Sequence, residues 1–477
     1  MRRWLAAGLA LLALAGCTSD PEPAPPAPSP QVTASPPPAP PQGGRTVFGA
    51  HWDWNRYEQF TPFLRKISGS ATYHELSWCD IEREQGRPDW SAVDRVAERS
   101  RSLGITLHLK IRTGVCWATG GTAQHVRGTA NKTESAMPRD LDAYKSFVDS
   151  VVRRYAPYGV REYAVENEVN APQYWAGSPA DYTTLVTAAA AAIRAADPDA
   201  RVVDSGISSV AYGWGVADRL LQAGRQDEAV RAYNAYFQRR IGTRGKQIPP
   251  VSTPADLRAA LAVAQNARNL EYLAATERLL DGKVVDVRQV HFYEHWSAVP
   301  DLLGYLSAQT PAGTPVEAWE VGQFWRDGDG DAASRSAEMV KAVALLAAGG
   351  VREVIWLPLA YNPANRQSSE VRYGLLDPDG KERTAGQMLA ALAALAQGAT
   401  AEPVRDKGLA GTAFRRGGET ALVVWAAAGP VTVPASAALK SGPVGAAATR
   451  DGAVEVAADP VVLRGKGTPA DLLKTVG

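Results

Sequence analysis

Tyr163-Ala164-Val165-Glu166-Asn167-Glu168-Val169-Asn170 reads as a strand that ends in carboxylates. Side chains alternate along a strand, so Glu166 and Glu168 are expected on one face and Asn167 on the other, until the chain turns at Asn170-Ala171-Pro172. A buried glutamate is costly unless it is paired or used, and two beside Tyr174-Trp175 suggest groups whose proton affinity is tuned. The competing reading is a strand end whose acids meet neighbouring arginines.

The surroundings of this strand decide the fold class. From Val47 onward strand-like and amphipathic helical runs keep changing places. Strands are expected at 47–50, 71–77, 105–111, 161–167, 201–206, 285–293, 315–321 and 351–357. Helices are expected at 56–67, 91–103, 140–155, 179–196, 303–309, 333–348 and 384–395, with further helix before the sixth strand. Eight alternations predict an α/β fold, a closed (β/α)8 TIM barrel over 46–398. A doubly wound open sheet is the runner-up, but no glycine-rich phosphate loop follows the first strand. Segment 212–283 holds more helix than one barrel unit needs. It reads as an insertion that either shapes the cleft or elaborates the structure away from it. Beyond 398 the runs shorten and alternate between glycines and prolines, which predicts a small C-terminal antiparallel β-sandwich domain over 399–477. It is expected to pack on the barrel as an accessory, with few candidate catalytic residues.

The N-terminus is expected to stand outside the fold. Met1-Arg2-Arg3 and the apolar run from Leu5 to Gly16 form an export signal too short to span as a folded helix. Leu14-Ala15-Gly16-Cys17 resembles the bacterial lipobox, which makes Cys17 the lipidated residue and 1–17 a lipoprotein signal peptide. Residues 18–45, rich in Pro, Ala and Ser, read as a disordered polyproline tether. The expected location is extracytoplasmic, membrane-anchored, at the periplasmic face or cell surface. A net charge of +1, with no basic block carrying interleaved aromatics, argues against a nucleic-acid partner. Beyond Cys17 only Cys79 and Cys116 remain, too few for a disulfide scaffold or a structural zinc site. They lie at the ends of adjacent expected strands, compatible with one bridge or with two separate buried thiols.

In a barrel the functional face lies at the C-terminal ends of the strands. Those ends carry His51-Trp52-Asp53-Trp54, Trp78, Trp117, Trp175, His295-Trp296, Trp325 and Trp356. Tryptophan faces stack on the C–H faces of pyranose rings, so this rim suggests a sugar polymer or glycoside, although several of the rings, Trp78 and Trp356 among them, are expected to close the top of the core. The seventh strand, Pro315-Val316-Glu317-Ala318-Trp319-Glu320-Val321-Gly322, supplies a second acid that can face the fourth strand across the mouth, as cleavage of a glycosidic bond requires.

Asn167-Glu168 after a hydrophobic strand, with Glu320-Val321-Gly322 three strands later, resembles the retaining glycoside hydrolases of clan A. Ser77-Trp78-Cys79-Asp80-Ile81-Glu82 with Gly86 and Asp89-Trp90, His291-Phe292-Tyr293, and Tyr373-Gly374-Leu375-Leu376-Asp377 resemble further pieces of the β-xylosidase (family 39) and β-galactosidase (family 42) branches, in the right order. The resemblance implies an enzyme with Glu168 as general acid/base and Glu320 as nucleophile. It implies Asn167 as donor to the sugar 2-hydroxyl, Tyr293 as partner of Glu320, and retention of configuration through a covalent glycosyl-enzyme. His51, Trp54, Trp117, Trp175, His291, Trp296, Trp325 and Trp356 are the further substrate-binding candidates. No cofactor or metal is implied, and the protein is expected to be a monomer. Glu166 and Glu317 compete for the two acidic roles. The chemistry asks for a raised pKa on Glu168 and hydrogen bonds that keep Glu320 ionised. One departure stands out: many clan members carry an arginine on the second strand that holds the nucleophile, whereas this strand reads Ala71-Thr72-Tyr73-His74. His74 and Arg112 are the candidates to take its place.

Two rivals remain. His291-Phe292-Tyr293-Glu294-His295 matches the inverted zinc motif H-x-x-E-H, which needs a helix where the pattern here is strand-like. A barrel that only binds sugar, as a membrane-tethered glycan-binding lipoprotein, is the alternative to an enzyme.

Overall fold

Eight parallel strands form the centre of the computed structural model, which describes residues 45–51, 57–67, 71–120, 126–127, 130–131, 135–241, 248–323, 330–361, 373–434, 440–445 and 453–474. They are β1 (Val47–Ala50), β2 (Ala71–Ser77), β3 (Thr106–Arg112), β4 (Glu162–Val165), β5 (Arg201–Val203), β6 (Arg288–Phe292), β7 (Val316–Val321) and β8 (Glu353–Trp356). One ladder runs β2-β3-β4-β5 and the other β6-β7-β8-β1. Parallel bridges Val203 to Val287 and Ile207 to Val290 join β5 to β6. On the other side β1 packs on β2 so closely that a Cβ on Gly49 would lie 2.0 Å from the Ala71 carbonyl oxygen. The result is a (β/α)8 barrel, as the alternation predicts. The expected export signal with Cys17, and Trp54 and Trp325, lie outside the described residues, as does all of the expected tether but Arg45.

The strands are buried on both faces, and this is why their sequences read as nearly continuous apolar runs. Ala71, Tyr73, Ala164, Val203, Val287, Trp319 and Ile355 fill the barrel, while a larger apolar layer lies between strands and helices. Polar residues close the N-terminal end: His108 lies between Glu162 (3.2 Å) and Glu353 (2.8 Å). Glu162 also meets Arg201 and Arg352, and Arg352 pairs with Glu317.

The helices begin and end where caps dictate. Ser178 and Asp181 form a reciprocal capping box on Pro179–Ala196, and Gly104 in the left-handed region ends Ser91–Leu103. The helix before β7 starts at Val299, earlier than expected, because Pro300 sits in its first turn where no amide hydrogen is needed. The long connection from β5 to β6 contains Ser209–Gln222, Gln226–Tyr236, Pro254–Leu261 and Ala264–Asp281.

Beyond the barrel lie β9 (Thr400–Asp406), β10 (Leu409–Arg416), β11 (Glu419–Ala426), β12 (Val431–Val433), β13 (Lys440–Pro443), β14 (Val454–Val456) and β15 (Val461–Lys466). The order β9-β10-β11-β15-β13 is antiparallel throughout, and β12 pairs separately with β14. Leu409, Ala413, Leu422, Val424 and Leu463 meet Val433 and Val456 in a small core of their own. The opposite face, with Phe414, Val423 and Val462, joins the barrel's apolar layer, and Thr412 Oγ1 donates to the Ala344 carbonyl (2.8 Å). The sequence did not mark β9 and β13, whose Glu, Pro, Lys and Gly residues weaken the strand pattern.

Candidate active site

At the end of β4 the structure departs from simple alternation. The strand stops at Val165, and Glu166 (φ 68°) and Glu168 (φ 40°) both adopt the left-handed region, a strained conformation for a residue with a Cβ. The two glutamates therefore do not share a face. Glu166 turns into the wall, fully buried, accepting the Thr113 N–H (2.7 Å) with Arg112 Nε 3.9 Å away. Burial pushes its carboxyl pKa up against the opposing pull of Arg112 and the Thr113 amide. Glu168 turns to the mouth, where its Oε1 lies 2.9 Å from His291 Nδ1. The strain at Glu168 is held from the backbone: its N–H donates to the Ser205 carbonyl (3.0 Å) and its carbonyl accepts from Ala171 (2.8 Å).

Glu320, at the end of β7, has both carboxylate oxygens engaged. Oε1 accepts from Lys110 Nζ (2.7 Å) and Tyr73 OH (2.9 Å). Oε2 accepts from Tyr293 OH (2.9 Å) and lies 3.4 Å from His291 Nδ1. Burial alone would raise this carboxyl; His291, Lys110 and the Tyr293 hydroxyl outweigh it and hold the group far below the usual carboxylate range. Burial first, then the charge of Glu320, pushes the Tyr73 and Tyr293 phenols well above their ordinary value, so both stay donors. A carboxylate oxygen of Glu168, one of Glu320 and a ring nitrogen of His291 lie within 4.8 Å of one another.

The His291 ring is oriented from behind. Gln289 Nε2 donates to the Asp204 carbonyl (2.8 Å), which turns its Oε1 to His291 Nε2 (3.0 Å). The Gln289 amide oxygen would take a hydrogen from Nε2, whereas the Lys110 ammonium, 3.4 Å from the same nitrogen, would donate to it; with either tautomer a proton has to lie between Nδ1 and Glu168 Oε1 for that contact to be attractive. Burial raises the Asp204 carboxyl to about 6. Gly206 (φ 67°) lets the backbone pass the ring: a Cβ there would stand 2.3 Å from His291 Nε2. The loop after β4 is clamped by the insertion. Arg268 donates to the carbonyls of Val169, Asn170 and Trp175 (3.1 Å each), and Asn170 Nδ2 donates to Asn269 Oδ1 (2.8 Å). The long helix of the insertion, Ala264–Asp281, thus buttresses the Glu168 loop.

The other candidates separate. Asn167 joins the cluster, its Oδ1 accepting from Lys110 (2.8 Å). His51 stacks on Tyr73 with ring centroids 4.0 Å apart, and burial lowers its pKa to about 4. Trp356 is 2% exposed and lines a cavity of about 340 Å³ with Gln323, Arg335, Tyr373 and Asp377. Trp117 is spent locally, donating to the Glu82 carbonyl (2.7 Å) and meeting Trp78 edge-on. Trp175 is fully buried and has no face to offer a sugar, and Trp296 packs against Trp425 with Lys341 over its ring at 4.5 Å. Both rings are taken up by protein contacts, Trp296 while still half-buried, because position on a loop does not fix which way an indole turns. Glu317 lies at the closed end, bonded to Trp319 Nε1 (2.8 Å) and Arg352, so it does not reach the mouth.

His295 pairs with Glu338 (2.5 Å) and Glu294 with Ser209 and Arg240, so His291 and His295 diverge and the zinc motif is not assembled. Glu168, His291 and Glu320 are the described donors close enough to share a cation, but the Lys110 ammonium already occupies the charge-balancing position. Cys79 and Cys116 form a disulfide with Cα atoms 5.6 Å apart, tying the ends of β2 and β3.

The cation beside Glu320 is neither His74 nor Arg112. Arg112 pairs with Glu75 (3.1 Å), and Lys110 takes the position. Sequence reading missed Lys110 and Tyr73. The signal was there: His108, Lys110 and Arg112 alternate along β3, a polar stripe on the inner face of an otherwise apolar strand.

Comparison with solved structures agrees with this architecture. A family 39 glycoside hydrolase from the gut symbiont Bacteroides cellulosilyticus WH2 matches with TM-score 0.60 and 14% identity, over 88% of this chain and 81% of its own. The chain shares the (β/α)8 barrel fold of that enzyme. A family 39 β-xylosidase from Caulobacter crescentus matches with TM-score 0.55 and 16% identity, over 90% of this chain and 98% of its own. The family 39 enzyme from Xanthomonas axonopodis pv. citri gives 0.52 and 15%, over 91% and 96%. No family model matches the sequence, and no curated protein matches it. Among the described residues no helix is long and apolar enough to cross a membrane.

Proposed function

We propose that the protein is a retaining glycoside hydrolase acting on β-linked glycosides or polysaccharides. The observation that carries this reading is the approach of the Glu168 and Glu320 carboxylates at the C-terminal ends of β4 and β7, with oxygens inside 4.8 Å. Retaining enzymes place the pair about 5 Å apart, whereas inverting ones need roughly 6.5–9.5 Å to admit a water.

In the first step a Glu320 oxygen attacks the anomeric carbon while Glu168 gives its proton to the departing glycosidic oxygen, leaving a glycosyl ester on Glu320. In the second, Glu168 takes a proton from water, whose oxygen attacks the anomeric carbon and releases Glu320. His291 Nδ1, 2.9 Å from Glu168, is the neighbour that shares the acid's proton. Tyr293, Tyr73 and Lys110 keep Glu320 ionised. Its pKa is depressed, so the nucleophile is competent above that value and is lost as pH falls through it. Asn167 is the donor for the 2-hydroxyl.

The β-xylosidase name of one structural neighbour makes aryl β-xylosides the first members of a test panel, followed by other aryl glycosides and polysaccharides with product sizing. NMR of the first-formed sugar should show the starting anomeric configuration. Glu168→Gln should lower kcat/KM by about 10²–10⁴-fold on substrates with poor leaving groups, the usual worth of a general acid, and Glu320→Gln should abolish turnover. Saturable glycan binding by the wild type without turnover across the panel would favour the glycan-binding reading. We further propose that Cys17 carries lipid and the barrel hangs from a membrane outside the cytoplasm. Absence of labelled fatty acid on the expressed full chain would dismiss this.

A further inference from the structure

We propose that Lys110 is the positioning residue of this site: a single ammonium fixes the Glu320 carboxylate and, by holding the oxygen of the Asn167 amide, turns that amide's NH2 group outward for a substrate hydroxyl. The inference rests on the hydrolase reading for its consequence, not for its geometry.

Lys110 is fully buried in β3, where an unpaired ammonium would be untenable. Its partners converge from four other strands and their ends. Nζ donates to Glu320 Oε1 (2.7 Å) and to Asn167 Oδ1 (2.8 Å), lies 3.4 Å from His291 Nε2 and 3.7 Å from Glu75 Oε1, and stands 4.1 Å over the Tyr73 ring. An ammonium has three donors and no acceptor, so only the oxygen end of the Asn167 amide can face it. That fixes the side chain against a flip and turns the NH2 end of the amide away from the ammonium. An asparagine held this way donates to an oxygen and discriminates against a ligand that lacks one.

On the second strand, where the resemblance leads one to expect an arginine, Tyr73 adds a neutral donor to the same Glu320 oxygen (2.9 Å). The positive charge has moved one strand along, to a residue that also reaches Asn167. Such a charge strengthens both contacts while it is shielded from water. Around Glu320 the other titratable groups are His51 from β1, Tyr73 and Glu75 from β2, Glu168 after β4, and His291 and Tyr293 from β6 and its end.

The test uses the full chain and the variants Lys110→Met, which removes the charge, and Lys110→Arg, which keeps it and serves as the second variant should the first not fold. Carbon-13 NMR of labelled glutamate carboxyls, with Glu320 assigned by its loss in Glu320→Gln, reads the contact without any activity. Lys110→Met should raise the Glu320 midpoint by about one pH unit or more, a tenfold change in proton affinity, and Lys110→Arg should leave it closer to wild type. An unmoved midpoint in Lys110→Met, or a full unit's rise in Lys110→Arg, overturns the Glu320 half. The Asn167 NH2 signals, assigned through Asn167→Asp, should shift in Lys110→Met, and unchanged signals overturn the second half. On an aryl glycoside and its 2-deoxy counterpart, the penalty of Lys110→Met should be at least about tenfold smaller for the 2-deoxy substrate, because the hydrogen bond it protects is already missing. Equal penalties refute the coupling. Wild-type inactivity on every glycoside would sink the hydrolase reading while the two NMR measurements still decide the role of Lys110.

Discussion

His108→Gln should weaken the barrel far more in mild acid than in mild base. The imidazole is 4% exposed and lies between two carboxylates, Glu162 at 3.2 Å and Glu353 at 2.8 Å, with Trp319 stacked on it at 4.7 Å. Burial by itself would lower its pKa. Glu353 and then Glu162 outweigh that term and raise it above the ordinary value. A raised histidine contributes stability that is fully present below its unfolded pKa of about 6.5 and is lost as pH climbs through the higher folded value.

Breaking a buried ion pair from one side costs about 3–5 kcal/mol, because the partner charge is left uncompensated. Here Glu162 keeps Arg201 and Arg352, whereas Glu353 loses the partner that the described residues give it, so the lower end, about 3 kcal/mol, is expected. Urea unfolding of wild type and variant at about pH 5.5 and about pH 9 measures the difference, on either side of the ordinary histidine range. The stacked Trp319 supplies a fluorescence reporter at the site itself. A deficit that is equal at both pH values, or larger at the higher one, would refute the argument. So would a His108 ring that titrates at or below the ordinary value.

Two further outcomes follow from local geometry. Cys79→Ser opens a link between residues 37 apart in sequence, and chain entropy alone sets the loss at about 4 kcal/mol; two freely alkylated thiols in the unreduced, unfolded protein would show that the bridge does not form. Gly206→Ala places a methyl 2.3 Å from His291 Nε2 and 2.6 Å from Gln289 Oε1, so kcat/KM should fall by about 10²-fold, the usual cost of a misplacement near 1 Å, and full activity in that variant would mean that His291 does not set the position of Glu168.

By itself the sequence determined the repeat of strand and helix, the strand starts at Val47, Ala71 and Arg201, and the two acids that meet at the barrel mouth, because hydrophobic period and the residues around each acid are local properties. Strand alternation, which puts Glu166 and Glu168 on one face, could not say that Glu166 turns into the wall while Asn167 and Glu168 meet at the mouth. Glutamate has no preference for the left-handed region, and Glu166 and Glu168 are held there by contacts with Thr113 and Ser205, which lie beyond the ends of neighbouring strands. The rim of tryptophans was visible in the chain, but whether a given indole faces a cleft or fills a core is settled by what packs behind it. That is why Trp175 proved internal and Trp296, half-buried, packs on Trp425. Closure of the barrel brings Lys110 from β3 against Glu320 from β7, two positions 210 residues apart. A buried charge shows in sequence as an oddity within an apolar strand, but its partner exists only once the strands are arranged in a ring.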